Sequence, residues 1–178
     1  MRIISGTHKG KRLIAPKKLP VRPTTDFAKE GLFNMLRNTF HFSEISVIDL
    51  FAGTGNISYE FASRGVKEIT CVDADAGCIQ FIKKTATELS FPISTIKSDV
   101  FSYLEKSRQS ADVIFADPPY DFSIEQFEKI VSLVMENGFL NEDGQLIIEH
   151  PKHTDLSQVT NYSHSRRYGS SVFSFFEF

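Results

Sequence analysis

Tryptophan is absent from this 178-residue chain, and cysteine occurs only twice. Two thiols supply no disulfide framework. Cys71 falls in a strand pattern and Cys78 in the helix pattern after it, so both read as reduced core or near-core thiols, which points to the cytoplasm. His8, His41, His150, His153 and His164 show no metal-ligand spacing with the cysteines, and no metal is assigned. No apolar run is long enough to span a bilayer, and the basic N-terminus lacks the apolar stretch of a secretory signal, so no membrane partner is expected. Acidic side chains are missing from the first 22 residues, which carry seven basic ones: Arg2, Lys9, Lys11, Arg12, Lys17, Lys18 and Arg22. Residues 1–40 have a net charge of +7 and residues 41–178 one of −9, beneath an overall −2. Such segregation implies an anionic partner at one end, and nucleic acid is the expected one. The seventeen phenylalanines have no functional reading at this level.

What is present is more specific. Asp117-Pro118-Pro119-Tyr120 follows the apolar run Val113-Ile114-Phe115-Ala116, which reads as a buried strand. The tetrapeptide therefore sits at a strand's carboxyl end, where open α/β sheets place their chemistry. It resembles the active-site motif of S-adenosylmethionine-dependent methyltransferases that modify exocyclic amino groups. A carboxylate and a backbone carbonyl accept the two N–H groups of an aromatic amine and aim its lone pair. Two prolines fix φ and add no competing N–H. Tyr120 offers a flat face for a base.

Upstream, Val47-Ile48-Asp49-Leu50-Phe51-Ala52-Gly53-Thr54-Gly55-Asn56 is an apolar strand running into Gly-x-Gly, followed by a helical pattern. The glycines allow a sharp turn and close approach of a ligand. Ser58 stands where a dinucleotide fingerprint has its third glycine. Asp49 suits the positive amino-acid end of S-adenosylmethionine better than a nicotinamide. Asp73, about twenty residues after the glycines, closes a second strand at the spacing of a ribose-binding acid. Asp99 follows a third strand and is placed to take an adenine amino group. Singly, an acid such as Asp73 or Asp99 is more often a helix N-cap than a ligand, and it is their order along the chain that favours a site.

The pattern along the chain is β-α-β-α. Strands are predicted near 46–51, 68–72, 93–97, 112–116 and 144–149, and helices near 56–63, 75–89, 100–107 and 124–136. Before them come two short strands, 2–6 and 11–15, as a basic hairpin, and a helix from Thr25 or Asp26 to about Asn38. After them, Tyr162 to Tyr168 and Ser171 to Phe178 read as an antiparallel hairpin turning at Gly169-Ser170. Asn141-Glu142-Asp143-Gly144 reads as a turn. An α/β fold follows: a mostly parallel sheet covered on both faces. Residues 1–40 form an N-terminal basic extension and 41–178 a single catalytic unit. No amphipathic surplus suggests an obligate dimer, so a monomer is expected.

Together these residues resemble the bacterial 16S ribosomal RNA guanine-N2 methyltransferase family of the RsmD type, over nearly the whole length. Met1-Arg2-Ile3-Ile4-Ser5-Gly6, Lys9-Gly10-Lys11-Arg12-Leu13, Arg22-Pro23-Thr24-Thr25-Asp26, Leu32-Phe33-Asn34-Met35-Leu36 and Arg166-Arg167-Tyr168-Gly169 carry it, beside the two shared methyltransferase motifs. Phe27 and Lys29 stand where the family usually has Arg, which weakens an RNA-contact role for that turn. Ser58 replaces a glycine and Asp73 a Glu.

The resemblance implies a Rossmann-like class I methyltransferase fold and S-adenosylmethionine as cofactor. The partner would be 16S rRNA or an assembling small ribosomal subunit. Asp117, Pro118, Pro119 and Tyr120 would be catalytic. Asp49, Phe51, Gly53, Gly55, Asp73, Ala74, Asp99 and Val100 would hold the cofactor. Lys9, Lys11, Arg12, Arg22, Arg166 and Arg167 would bind RNA, as a docking arm and edge apart from the catalytic core, with every cofactor and amine contact after residue 48. Three rivals share parts of this pattern. A DNA amino methyltransferase would need a target-recognition region that so short a chain lacks. A protein-glutamine methyltransferase usually carries Asn in place of Asp117. A catalytically silent RNA-binding assembly module would not require intact Asp49, Gly53, Gly55, Asp99 and Asp117.

Overall fold

The computed structural model describes residues 1–178. Strands β1 (Ser46–Leu50), β2 (Glu68–Asp73), β3 (Ile93–Lys97), β4 (Ala111–Ala116), β5 (Leu140–Pro151), β6 (Tyr162–Tyr168) and β7 (Ser171–Phe176) form one sheet in the order β3-β2-β1-β4-β5-β7-β6. The first five pair in parallel, and β7 pairs antiparallel with both β5 and β6. Helices α1 (Asp26–Thr39), α2 (Asn56–Ser63), α3 (Ala76–Leu89), α4 (Val100–Lys106) and α5 (Ile124–Glu136) cover it. No helix is long and apolar enough to cross a membrane.

Burial explains the strand patterns. Val47, Ile48, Val113, Ile114, Phe115, Leu146, Ile147 and Ile148 are all at most 1% exposed, so the central strands are apolar on both faces. Their side chains divide into two cores, one on each side of the sheet. Phe33, Phe61, Phe115, Phe173 and Phe175 fill one, and Phe127, Phe139 and Phe176 the other, which accounts for much of the phenylalanine excess. Each such side chain contributes roughly 1.5–3 kcal/mol on burial. β7, with Phe173, Phe175 and Phe176, lies inside the sheet, whereas β6 carries exposed Arg166 and Arg167 and forms the edge. Charged side chains on an edge strand discourage pairing with another chain.

The N-terminal hairpin is present in a short form. Arg2 and Arg12 form an antiparallel bridge, and Ile3 N–H donates to the Lys11 carbonyl and Leu13 N–H to the Met1 carbonyl, each at 2.9 Å, so the hairpin forms but is shorter than the two strands 2–6 and 11–15. Past Ile3 the first strand does not continue this pairing, and its donors turn to α2. Ile4 and Ser5 N–H donate to the Glu60 carboxylate at 2.9 and 3.1 Å, and Thr7 N–H donates to the Ser63 carbonyl at 2.8 Å. Nor is the segment a detached arm. Ile3 is buried in the same core as Val47, together with Ala28, Leu32, Phe33 and Leu36 of α1. Thr25 caps α1 by accepting the Ala28 N–H.

Lys29 is likewise no surface cation. It is fully buried, donating to the Arg2 carbonyl at 2.5 Å and to Asn56 Oδ1 at 2.9 Å, and pairing with Glu60 at 3.5 Å. Burial pulls its pKa down, and Glu60 opposes the shift. The position follows from helix geometry: Lys29 lies four residues before Phe33 and seven before Leu36, on the buried stripe.

The turn expected at Asn141 to Gly144 lies inside β5. Leu140 pairs with Ala111 and Gln145 with Val113, so residues 141–144 bulge opposite Asp112. Asp112 takes the Asn141 amide at 3.0 Å, and Asp143 is left-handed. A Cβ on Gly144 would meet the Asn141 carbonyl oxygen at 2.9 Å, so only glycine fits.

Candidate active site

Strand β1 has β2 on one side and β4 on the other, so the connections leaving the sheet centre diverge and open a crevice at the carboxyl ends. The glycine loop after β1 borders it. Phe51, Gly53 and Gly55 have φ of 57°, 55° and 86°, three left-handed residues within five. Phe51 tolerates this conformation with its ring packed edge-on against Phe122, centroids 5.6 Å apart. A Cβ on Gly55 would meet the Tyr59 ring at 2.7 Å. The Tyr59 hydroxyl is the one buried side-chain polar atom with no hydrogen-bond partner. A Cβ on Gly53 would meet Val21 Cγ1 at 3.2 Å.

A cavity of about 500 Å³ lies here, within the range of small-ligand sites. Asp49, Phe51, Gly53, Asp73, Ala74, Asp99 and Val100 line it, as do Asp117, Pro118, Pro119 and Tyr120. Gly55 does not; it shapes the loop from behind. Asp117 N–H donates to the Leu50 carbonyl at 3.4 Å, tying the two motifs together.

Each acid has a distinct setting. Asp49 is buried and accepts from Ser58 Oγ at 2.6 Å. Burial outweighs that hydrogen bond and pushes its pKa up to about 7. Ser58 therefore does more than a third glycine would, because it also accepts from the Cys71 thiol at 3.0 Å. Asp73 accepts the Gly53 N–H and the Asp75 N–H, each at 2.8 Å, so it braces the glycine loop. A carboxylate offers about four acceptor sites, leaving room for a diol. Asp99 caps α4 through the Ser102 N–H at 3.0 Å and faces the cleft. Asp117 is raised well above the usual carboxylate range, first by burial and then by Glu149 and Asp49.

Four of the five parallel strands thus end at or near an acid that lines the cleft: Asp49, Asp73, Asp99 and Asp117. Arg22 is the only Lys or Arg lining the cleft. This donor set fits a cationic ligand carrying hydroxyls. No three His, Cys, Asp or Glu side chains are grouped to hold a metal ion.

Pro20 to Thr24 also line the cleft, although every cofactor and amine contact expected from the sequence lies after residue 48. The Arg22 guanidinium lies 5.3 Å from the centroid of the Tyr120 ring. Thr24 Oγ1 donates to Glu149 Oε2 at 2.6 Å, and Asn56 Nδ2 donates to the Thr24 carbonyl at 3.0 Å. Local sequence gave no sign of this strap, because its contacts are with residues far away in the chain. Phe122, another missed lining residue, stacks on Phe101 and gives the cleft an apolar wall. Lys9, Lys11 and Arg12 are exposed on the N-terminal loop and Arg166 and Arg167 on the edge strand, all outside the cleft.

A family model described as "Conserved hypothetical protein 95" matches residues 1–177. The putative rRNA methyltransferase YlbH of Bacillus subtilis is 34% identical, over 89% of this chain and 87% of its own length. The ribosomal RNA small subunit methyltransferase D of Haemophilus influenzae is 32% identical, over 92% of this chain and 85% of its own. Among solved structures, the putative methyltransferase yhhF of Escherichia coli superimposes with a TM-score of 0.85 at 27% identity, covering 99% of this chain and 96% of that one.

Proposed function

The chain belongs to this RsmD-type methyltransferase family, and we propose that it methylates the exocyclic N2 of a guanine in small-subunit ribosomal RNA, using S-adenosylmethionine. The observation that carries the reading is the pairing of Asp117-Pro118-Pro119-Tyr120 with the Asp49–Gly55 loop across one cleft. The cofactor supplies an electrophilic methyl group on a sulfonium. Asp49 would face its ammonium group, Asp73 its ribose hydroxyls and Asp99 its adenine amine, with Phe51, Val100 and Phe122 packing on its apolar parts.

Asp117 and the Pro118 carbonyl would accept the two amine protons, holding the lone pair toward the methyl group. Positioning of this kind supplies much of the rate in such reactions. Once methylated, the amine is cationic and acidic, and Asp117 takes its proton. Tyr120, half exposed and flanked by Arg22, would stack on a base that has left its helix. Arg22, Lys9, Lys11 and Arg12, with Arg166 and Arg167 on the edge strand, would contact phosphates and add affinity without base identity.

The test is methyl transfer from labelled cofactor to isolated small subunits, naked ribosomal RNA and DNA, followed by identification of the modified nucleoside. N2-methylguanosine from a ribosomal substrate is the expected product. Methylated DNA, or no product from any of the three, would refute the proposal. Asp117→Ala should abolish turnover while S-adenosylhomocysteine still binds by titration calorimetry. Near-normal turnover would remove Asp117 from its role.

A further inference from the structure

Glu149 takes no part in the steps above, yet it is 4% exposed and sits beside Asp117. Ala116 pairs with Ile148 in the parallel register of β4 and β5, so Asp117 and Glu149 follow at the same level on adjacent strands. A carboxylate this deep needs partners. Glu149 has Thr24 Oγ1 donating at 2.6 Å to one oxygen and Ser171 Oγ donating at 2.7 Å to the other. The Asp117 carboxylate receives no hydrogen bond from the protein. Donors favour a charged carboxylate, and two adjacent carboxylates resist being charged together. Burial raises both carboxyls, but the Thr24 and Ser171 hydroxyls oppose the rise on Glu149 and Asp117 has no such donors, so the proton of the pair favours Asp117.

We propose that Glu149 is a positioning residue: held ionised by the Thr24 and Ser171 hydroxyls, it makes Asp117 the stronger proton acceptor for the methylated amine. The N–H donors of the target amine favour ionised Asp117, so the proton held in the free protein leaves to solvent as substrate binds. After methyl transfer an N–H bond breaks, its electron pair stays on nitrogen, and the proton goes to Asp117 Oδ. Other charged groups converge on the pair. Asp49 on β1 adds to the rise on Asp117, and Arg22 joins the two hydroxyls in opposing the rise that burial causes on Glu149. Tyr120, after β4, feels both carboxylates and Arg22. His150 is bonded to Ser174 at 2.7 Å and belongs to neither. The strap residue Thr24 thereby links the N-terminal segment to the proton acceptor.

Only the rate measurement depends on the methyl-transfer reading. Carboxyl-carbon NMR of the free protein, with the Asp117 signal assigned through Asp117→Asn, gives its titration midpoint without substrate. Glu149→Gln should lower that midpoint by about one pH unit or more, since a like charge at adjacent-strand distance is removed. The acid limb of kcat/KM should move down equally, kcat should fall roughly three- to tenfold, and S-adenosylhomocysteine affinity should hold. Glu149→Asp should restore the profile. Ser171→Ala, a milder change that serves if Glu149→Gln does not fold, should shift the midpoint the same way by less. An unmoved Asp117 midpoint in the folded variants overturns the proposal. A wild-type protein that transfers no methyl group defeats the methyl-transfer reading instead, and the NMR midpoint still decides Glu149.

Discussion

Lys29→Met removes a cation from a site with no water to replace it. The Lys29 side chain is 1% exposed and that of Glu60 is 0% exposed. Removing one member of a buried ion pair typically costs about 3–5 kcal/mol. Here Glu60 keeps Arg64 at 2.8 Å and the N–H groups of Ile4 and Ser5, so the charge is not orphaned and the low end applies. The Arg2 carbonyl and Asn56 Oδ1 each lose a donor, worth about 1 kcal/mol apiece and overlapping with the first term. Met preserves most of the apolar stem. A destabilisation of about 3 kcal/mol results. With a urea slope of about 2 kcal/mol/M, the midpoint should fall by about 1.5 M, and Tm by roughly 6–12 °C. Urea unfolding followed by circular dichroism measures it. Hydrogen exchange at the Ile4 and Ser5 amides should rise, because their acceptor loses its anchor. Adding Glu60→Gln should recover at least about 1 kcal/mol relative to additivity. A single mutant within 1 kcal/mol of wild type, with no coupling in the double, would show that the network contributes nothing beyond packing.

Gly53→Val should leave a folded protein that no longer binds S-adenosylhomocysteine by calorimetry, because the residue needs a φ of 55° and its Cβ would press on Val21 at 3.2 Å; wild-type affinity would place the ligand elsewhere. Asp49 has a pKa near 7 in the folded protein against about 4 unfolded, so the native state binds more protons and stability falls as pH rises from about 4 to 7. Asp49→Asn should remove that slope and gain up to roughly 3–4 kcal/mol at pH 8 while weakening cofactor binding, which thermal melts across pH and calorimetry will show. An unchanged pH slope would mean the Asp49 carboxylate is not desolvated. Neutralising Lys9, Lys11 and Arg12 together should lower the salt slope of RNA affinity by up to about three units, with S-adenosylhomocysteine affinity unchanged. Parallel lines of equal affinity would make this loop plain solvated surface and move the RNA face toward Arg166 and Arg167.

The parts of this protein legible in its sequence are those fixed by neighbouring residues. Alternation of apolar strands with helical stripes determines a parallel sheet. A Gly-x-Gly after one strand and Asp-Pro-Pro-Tyr after another determine which edge carries the chemistry. The rank of β7 inside β6 was also written locally, in Phe173, Phe175 and Phe176 against Ser163, Arg166 and Arg167. Lys29 left a weaker trace, since its helical spacing from Phe33 and Leu36 outweighs its charge, but its partners come from two other segments, Arg2 from the N-terminus and Asn56 and Glu60 from α2.

Only the tertiary structure decided that Pro20 to Thr24 straps the cleft, that Ser58 holds Asp49, and that residues 141–144 bulge within a strand in place of a free turn. The Thr24–Glu149 hydrogen bond joins residues 125 positions apart. Periodicity and spacing report what a residue's neighbours along the chain require. Which distant donor satisfies a buried carboxylate depends on how the layers pack, and nothing in the local pattern encodes it.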